Sequence, residues 1–153
     1  MSLQSVRAFL SEKAPDLTIV ELKKPTSTVD LAAAGHGVEP GQIAKTLSLR
    51  AAGREFLVVM RGDARLDNKK AKAAFGGKVS LLGADEVEAI TGHPVGGVCP
   101  FGLKTPLPVY CDVSLKAYGE VVPAAGSITS AVRLAPARIA QLSNAEWVDV
   151  ATF

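Results

Sequence analysis

The sequence predicts a single α/β domain over residues 1–153, with a strongly curved, mixed sheet of about seven short strands and four or five helices. Three observations lead there. The chain has 153 residues, 48% hydrophobic and 21% charged, which is enough apolar material for one packed core and too much for a disordered chain. Short runs of strand type are separated by Gly/Pro turns and helical stretches, without the regular βαβ period of a doubly wound sheet. No internal repeat or low-complexity linker divides them.

In chain order, Ser2 to Lys13 reads as a helix that Ser2 can cap, with Val6, Phe9 and Leu10 on one face and Pro15 as its stop. Leu17 to Leu22 has strand composition. Ser27 or Thr28 caps a short Ala-rich helix ending at Gly35 or Gly37. A turn at Glu39-Pro40-Gly41 leads into IAKTLSLRA, where Ile43, Lys45, Leu47 and Leu49 alternate with Ala44, Thr46, Ser48 and Arg50. After the Ala52-Gly53 turn, Arg54 to Arg61 is a mostly apolar strand, so the pair reads as a hairpin.

Asp67 caps the next helix, NKKAKAAF, which Gly76-Gly77 closes; KVSLL is a brief strand. Ala84–Thr91 is a helix whose first turn holds Asp85 and Glu86, the sign its dipole favours. Residues 92–108 are Gly- and Pro-rich. Leu107–Val113 and Gly119–Val122 are further strands, and Gly126 to Leu134 turns into another. Pro136 suits N1 of a last helix reaching Leu142, and Trp147-Val148 docks the C-terminus.

The formal charge is +2, from 17 Lys+Arg against 15 Asp+Glu, which argues against a polybasic nucleic-acid binder. Its distribution is uneven: residues 45–78 carry nine basic and three acidic residues, a local +6 in a chain that is otherwise −4. Arg61, Arg65, Lys69, Lys70, Lys72 and Lys78 form this run, which reads either as a solvated face or as a dock for a polyanion. Cys99 and Cys111, without a CxxC pair, make neither a disulfide framework nor a zinc knuckle. With no apolar stretch near ~20 residues and no signal-like N-terminus, a cytoplasmic protein without membrane association is expected.

No P-loop, GxGxxG, HExxH, GxSxG or DxD signature is present, and no metal or cofactor is expected. Lys45, a cation on the apolar side of a strand, either reaches water or anchors a phosphate or a developing oxyanion. In Gly96-Gly97-Val98-Cys99-Pro100-Phe101-Gly102, main-chain N–H groups are open to close approach by a carbonyl or phosphate. Cys99 and His93 permit a thiol–imidazole nucleophile, although Cys99 between Val98 and Pro100 suits a small buried hydrophobe, and Pro94 does not aim His93 at it. His36, between two glycines, reads as a turn residue. Asp112 could pair with Lys45 or Lys104, or be solvated.

Taken together, Ile43-Ala44-Lys45-Thr46-Leu47, the Gly62-Asp63 step, Thr91-Gly92 with the Gly96–Gly102 loop, and Ala125-Gly126 with Val132-Arg133-Leu134 resemble the YbaK/EbsC family. These are aminoacyl-tRNA deacylases related to the editing domain of bacterial prolyl-tRNA synthetases, and the resemblance runs from about Thr26 to Leu142. It implies the family's editing-domain fold and a free-standing hydrolase that removes a small wrong amino acid, such as Ala or Cys, from tRNA for proline. The implied partners are the acceptor 3′ end of a misacylated tRNA and, as a candidate, prolyl-tRNA synthetase.

On this resemblance Lys45, Gly96 and Gly97 are the catalytic positions: Lys45 holds the terminal nucleotide, and the loop from Gly96 to Pro100 binds the aminoacyl carbonyl. Thr28, Val98, Cys99, Pro100 and Ser127 are substrate-binding candidates, and Arg61, Arg65, Lys69, Lys70 and Lys72 are tRNA-binding candidates. The Ser and Asp of the Cys-tRNA branch align with Ala124 and Ala131, so this chain departs from that branch where the substrate is chosen. A non-catalytic module that binds aminoacyl or nucleotide ligands remains the alternative.

Overall fold

The hairpin expected at residues 43–61 is the centre of the molecule, which a computed structural model describes over residues 2–153. Among the described residues there are five α-helices: α1 (Ser2–Lys13), α2 (Val29–His36), α3 (Asn68–Phe75), α4 (Ala84–Thr91) and α5 (Pro136–Ser143). Ten strands accompany them: β1 (Val20–Glu21), β2 (Ile43–Ala51), β3 (Arg54–Arg61), β4 (Arg65–Leu66), β5 (Ser80–Leu81), β6 (Val109–Asp112), β7 (Val122–Pro123), β8 (Ser130–Ala131), β9 (Glu146–Val148) and β10 (Ala151–Thr152). Short 3₁₀ turns cover Pro40–Gln42 and Val113–Ala117.

The main sheet runs β5-β2-β3-β6-β9, with β7 pairing β2 as well. β2 pairs β3 antiparallel from Ala44↔Arg61 to Ala51↔Arg54, whereas β3–β6, β6–β9 and β2–β7 are parallel, so the sheet is mixed as expected. β1–β8 and β4–β10 form separate two-stranded antiparallel ribbons. No helix among the described residues is long and apolar enough to cross a membrane.

Three packed clusters hold these elements. α1 and α5 supply Val6, Leu10 and Ile139 to a core that includes Leu57, Val59, Phe101 and Cys111. α3 packs Ala71 and Phe75 against Leu49, Phe56 and Met60 on another cluster. There the Phe56 and Phe75 ring centroids lie 4.4 Å apart, and Tyr110 meets both rings edge-on. A small third cluster, Ala33, Ile43, Val122 and Ala131, fastens α2 to β2, β7 and β8.

Several expectations need correction. Ser2 is itself helical, within α1, and its hydroxyl donates to the Gly126 carbonyl, so it ties the helix to a loop and does not cap it. The strand expected over residues 17–22 pairs only at Val20–Glu21, and that expected over 119–122 moves to Val122–Pro123, with Val121 bridging Leu134. β4, β9 and β10 were not anticipated; segments of two or three residues carry no readable period, and the docking of the tail decides their pairing. Asp112 meets neither Lys45 nor Lys104: it is fully buried and accepts from the Ser114 and Val150 N–H groups at 2.9 and 2.7 Å.

Candidate active site at a gap in the sheet

One side of β2 is paired along its length with β3, while the other side is shared by two short neighbours. β7 pairs at Ile43 and Ala44, and β5 pairs at Leu49 and Arg50. Between them the sheet lacks a strand, and a cavity of about 320 Å³ occupies the vacancy. Residues 43–48 form its floor, Leu81 and Leu82 one end, Val122 and Ala124 the other, and Thr28 and His36 of the α2 region a wall.

The hydrogen-bond phase of β2 determines what this floor offers. The Gly62 N–H donates to the Ile43 carbonyl at 2.7 Å, so odd-numbered residues direct their main-chain groups at β3. The Leu82 N–H donates to the Ser48 carbonyl at 3.0 Å, so even-numbered residues direct theirs outward. Ala44 is met by β7 and the Ser48 carbonyl by Leu82, which among the described residues leaves the N–H and C=O of Thr46, and the Ser48 N–H beside them, facing the gap without a strand partner.

Side-chain chemistry is concentrated in the same place. Lys45 lines the cavity half-buried, and its ammonium donates to the Ala64 carbonyl. Burial pulls its pKa below the ordinary lysine value, while the nearby Asp63 carboxylate opposes that fall. Among the described residues, four buried side-chain polar atoms lack a hydrogen-bond partner, and three of them, His36 Nε2, Thr46 Oγ1 and Ser48 Oγ, belong to residues lining this cavity. Burial, and the charge of Arg133, push the His36 pKa down, which favours the neutral imidazole. His36 is the last residue of α2 and belongs to the site, beyond the turn role read from its glycine neighbours.

The glycine loop closes the cavity on a further side. Gly96 has φ +90°, and an added Cβ would fall 2.7 Å from Ser27 Cβ. At Gly97 it would fall 2.8–2.9 Å from the Ser127 backbone. Gly96 and Val98 line the cavity, and among the described residues their N–H groups make no internal hydrogen bond. The Gly97 N–H, by contrast, donates to the Pro94 carbonyl at 2.9 Å and its carbonyl accepts from Gly126, which fixes the turn.

Lys45, Thr28, Gly96 and Val98 are thus brought together, while Gly97, Cys99, Pro100 and Ser127 are not among the lining residues. Ser127 holds Ser130, which does line the cavity, by a 2.6 Å hydroxyl–hydroxyl hydrogen bond. Cys99 is fully buried behind the loop, where desolvation pushes its thiol up to about 12. Its sulfur is nonetheless 3.7 Å from His93 Nε2, closer than the Pro94 argument allowed; that nitrogen also meets the Phe101 carbonyl at 2.8 Å. A protonated thiol sealed from solvent is not a nucleophile.

The tRNA-binding candidates lie off the cavity lining. Arg61 binds Asp63 through two nitrogens at 2.7 and 2.8 Å and lies over the Tyr118 and Phe153 rings. Arg65 donates to the Phe153 carbonyl at 3.3 Å, and Lys70 to Asp149 and the Ala151 carbonyl at 3.1 and 3.0 Å. Lys69 and Lys72 are exposed on α3, with no ion pair among the described residues. Among the site residues, sequence reasoning missed His36, Thr46 and Ser48. The one sequence signal for Thr46 and Ser48 is that the preceding member of their strand face, Ala44, is apolar; none marks His36.

The family model for the aminoacyl-tRNA editing domain matches residues 23–142. The chain belongs to that family. It is 43% identical over 152 residues to the uncharacterized protein YwhH of Bacillus subtilis, covering 98% of this chain and 97% of that one. Identity to a protein of Enterococcus faecalis named "Putative Cys-tRNA(Pro)/Cys-tRNA(Cys) deacylase EbsC" is 34% over 118 residues, covering 76% and 72%. A crystal structure described as that "of a putative trans-editing enzyme for prolyl tRNA synthetase" superposes with a TM-score of 0.91 at 35% identity, covering 99% of this chain and 98% of that one. The resemblance first drawn on the KTL strand and the glycine loop is therefore correct, and the editing-domain fold covers the described chain.

Proposed function

We propose that this editing domain is a deacylase acting in trans on tRNA for proline that carries a small wrong amino acid such as Ala or Cys. The observation that carries this reading is the cavity in the sheet gap, where Lys45 lines one space of about 320 Å³ together with Gly96 and Val98, whose N–H groups make no hydrogen bond among the described residues. Lys45 holds the phosphate or ribose of the terminal nucleotide. The loop N–H groups meet the ester carbonyl and the negative charge that grows on it.

Water adds to the carbonyl carbon, the bond from that carbon to the ribose oxygen breaks, and a proton from the water ends on the ribose hydroxyl. An aminoacyl ester is already activated, so positioning and backbone donors suffice without a nucleophilic side chain. Ala124 and Ala131 are bridge partners and both line the cavity, which supports a small apolar substrate side chain over the polar pairing of the Cys-tRNA branch.

The test is a deacylation panel of Ala-, Cys-, Ser- and Thr-charged tRNA for proline. Accelerated ester loss on at least one member is expected, with Lys45→Ala slower by about 10- to 100-fold, the worth of one charged hydrogen bond. Binding without acceleration on every member would instead favour the non-catalytic module, and a fully active Lys45→Ala protein would overturn the mechanism.

A further inference from the structure

We infer that the aminoacyl group fills the gap in the sheet as a strand one residue long, pairing with the main chain of Thr46. This rests on the deacylase substrate proposed above and specifies how that substrate is held. The geometry follows from the phase of β2. Thr46 presents one N–H and one C=O to the cavity, in the spacing of a residue that exchanges both hydrogen bonds with an antiparallel partner. An aminoacyl ester is one residue of backbone: its α-ammonium donates and its ester carbonyl accepts. The ammonium donates to the Thr46 carbonyl, and the Thr46 N–H donates to the ester oxygen, opposite the glycine loop.

A second observation points to a ligand at the same place. Ser48 is 6% exposed, and its hydroxyl, like that of Thr46, is buried without a hydrogen-bond partner in a residue that lines the cavity. Unsatisfied groups of this kind are rare in native interiors, and here one sits on the unpaired residue itself and the other lies two residues further along the strand.

The pairing has a direction. Antiparallel to β2, the substrate nitrogen points toward Ser48, whose carbonyl already accepts from Leu82 in the segment that continues β5. No second residue fits there, so a substrate acylated on its α-nitrogen is excluded. In an antiparallel pair facing residues share a face, so an L side chain lies on the Thr46 side of the sheet, together with Ala44.

The experiment is amide hydrogen exchange by NMR, with 3′-deoxy-3′-(L-alanylamino)adenosine as the hydrolysis-resistant probe. In the free protein the Thr46 N–H should exchange much faster than those of Lys45 and Leu47, which face β3. Saturating probe should slow Thr46 at least tenfold, adenosine monophosphate should not, and N-acetylalanyl-tRNA should be deacylated at least tenfold more slowly than alanyl-tRNA.

Protection of Thr46 before the probe is added overturns the inference, as does equal protection by adenosine monophosphate or no response of Thr46 to the probe. Equal rates on the N-acetyl ester also overturn it. Any of these results beside active deacylation in the panel removes the pairing and leaves the proposed function standing. Protection of Thr46 beside an inactive panel supports the pairing and removes the hydrolase.

Discussion

A methyl group at position 97 would sit 2.8–2.9 Å from three backbone atoms of Ser127, which cannot swing away as a side chain tip could. Gly97→Ala should therefore cost about 1–3 kcal/mol, the usual price of overpacking, and displace the wall that carries Gly96 and Val98; a denaturant midpoint measured beside the deacylation rate checks both. Cys99 and Cys111 are buried, and desolvation pushes each thiol up to about 12. Neither should be alkylated by iodoacetamide in the folded protein at pH 8, and labelling seen by mass spectrometry without denaturant would contradict this. Lys45 titrates below ordinary lysine because burial disfavours its charge, so binding of adenosine monophosphate, which carries no aliphatic amine of its own, should weaken at a lower pH than a solvated lysine would give. Asp63→Asn removes the field that opposes this fall and should move the alkaline limb further down; a limb that stays in place would separate Asp63 from the site. Lys45 was legible in the sequence because a cation breaks an apolar alternation. Thr46 and Ser48 were not, because a polar residue on the second face of a strand reads as solvent-facing until the neighbouring strands are known.

At the scale of elements, local chemistry marked the boundaries well wherever a helix cap or a tight turn carried them. Thr28, one of the two caps the sequence allowed beside Ser27, accepts from the Leu31 N–H at 3.2 Å, and Asp67 accepts from the Lys70 N–H at 3.0 Å as read from sequence. Each cap replaced by Ala should cost about 1 kcal/mol of stability. The consequences for function differ. Thr28 lines the cavity and starts the helix that ends at His36, so Thr28→Ala should also weaken binding of the alanylamino-adenosine probe, whereas Asp67 lies off the cavity lining and its Ala variant should leave probe binding unchanged. Equal effects of the two variants on probe binding would mean that α2 does not shape the site. The C-terminal strands escaped prediction for a physical reason: β9 and β10 owe their existence to β6 and β4, distant in sequence, and not to a pattern of their own.

At the scale of the whole molecule, the basic segment is less free than its local charge suggested. Arg50 is paired with Glu86 and Glu55, Arg61 with Asp63, and Lys70 with Asp149, so partners inside and outside the segment neutralise part of it. Lys70 also ties α3 to β10 through the Ala151 carbonyl, which makes its replacement a stability change as well as a charge change. Lys69→Glu with Lys72→Glu is the cleaner variant. If α3 contacts two phosphates, KM for tRNA should rise and the slope of log affinity against log salt should fall by roughly 0.7–0.9 per contact. An unchanged slope would return the helix to an ordinary solvated face. The vacancy between β5 and β7 has one more consequence. An open sheet edge invites the strands of other molecules, and proteins usually blunt it with charge, proline or a covering element. Here the flanking strands act as stops, leaving only Thr46 and the Ser48 N–H opposite the vacancy, too short a template for an incoming chain to nucleate a ladder. The fold can thus keep a reactive piece of edge exposed to small guests while remaining unable to recruit copies of itself there.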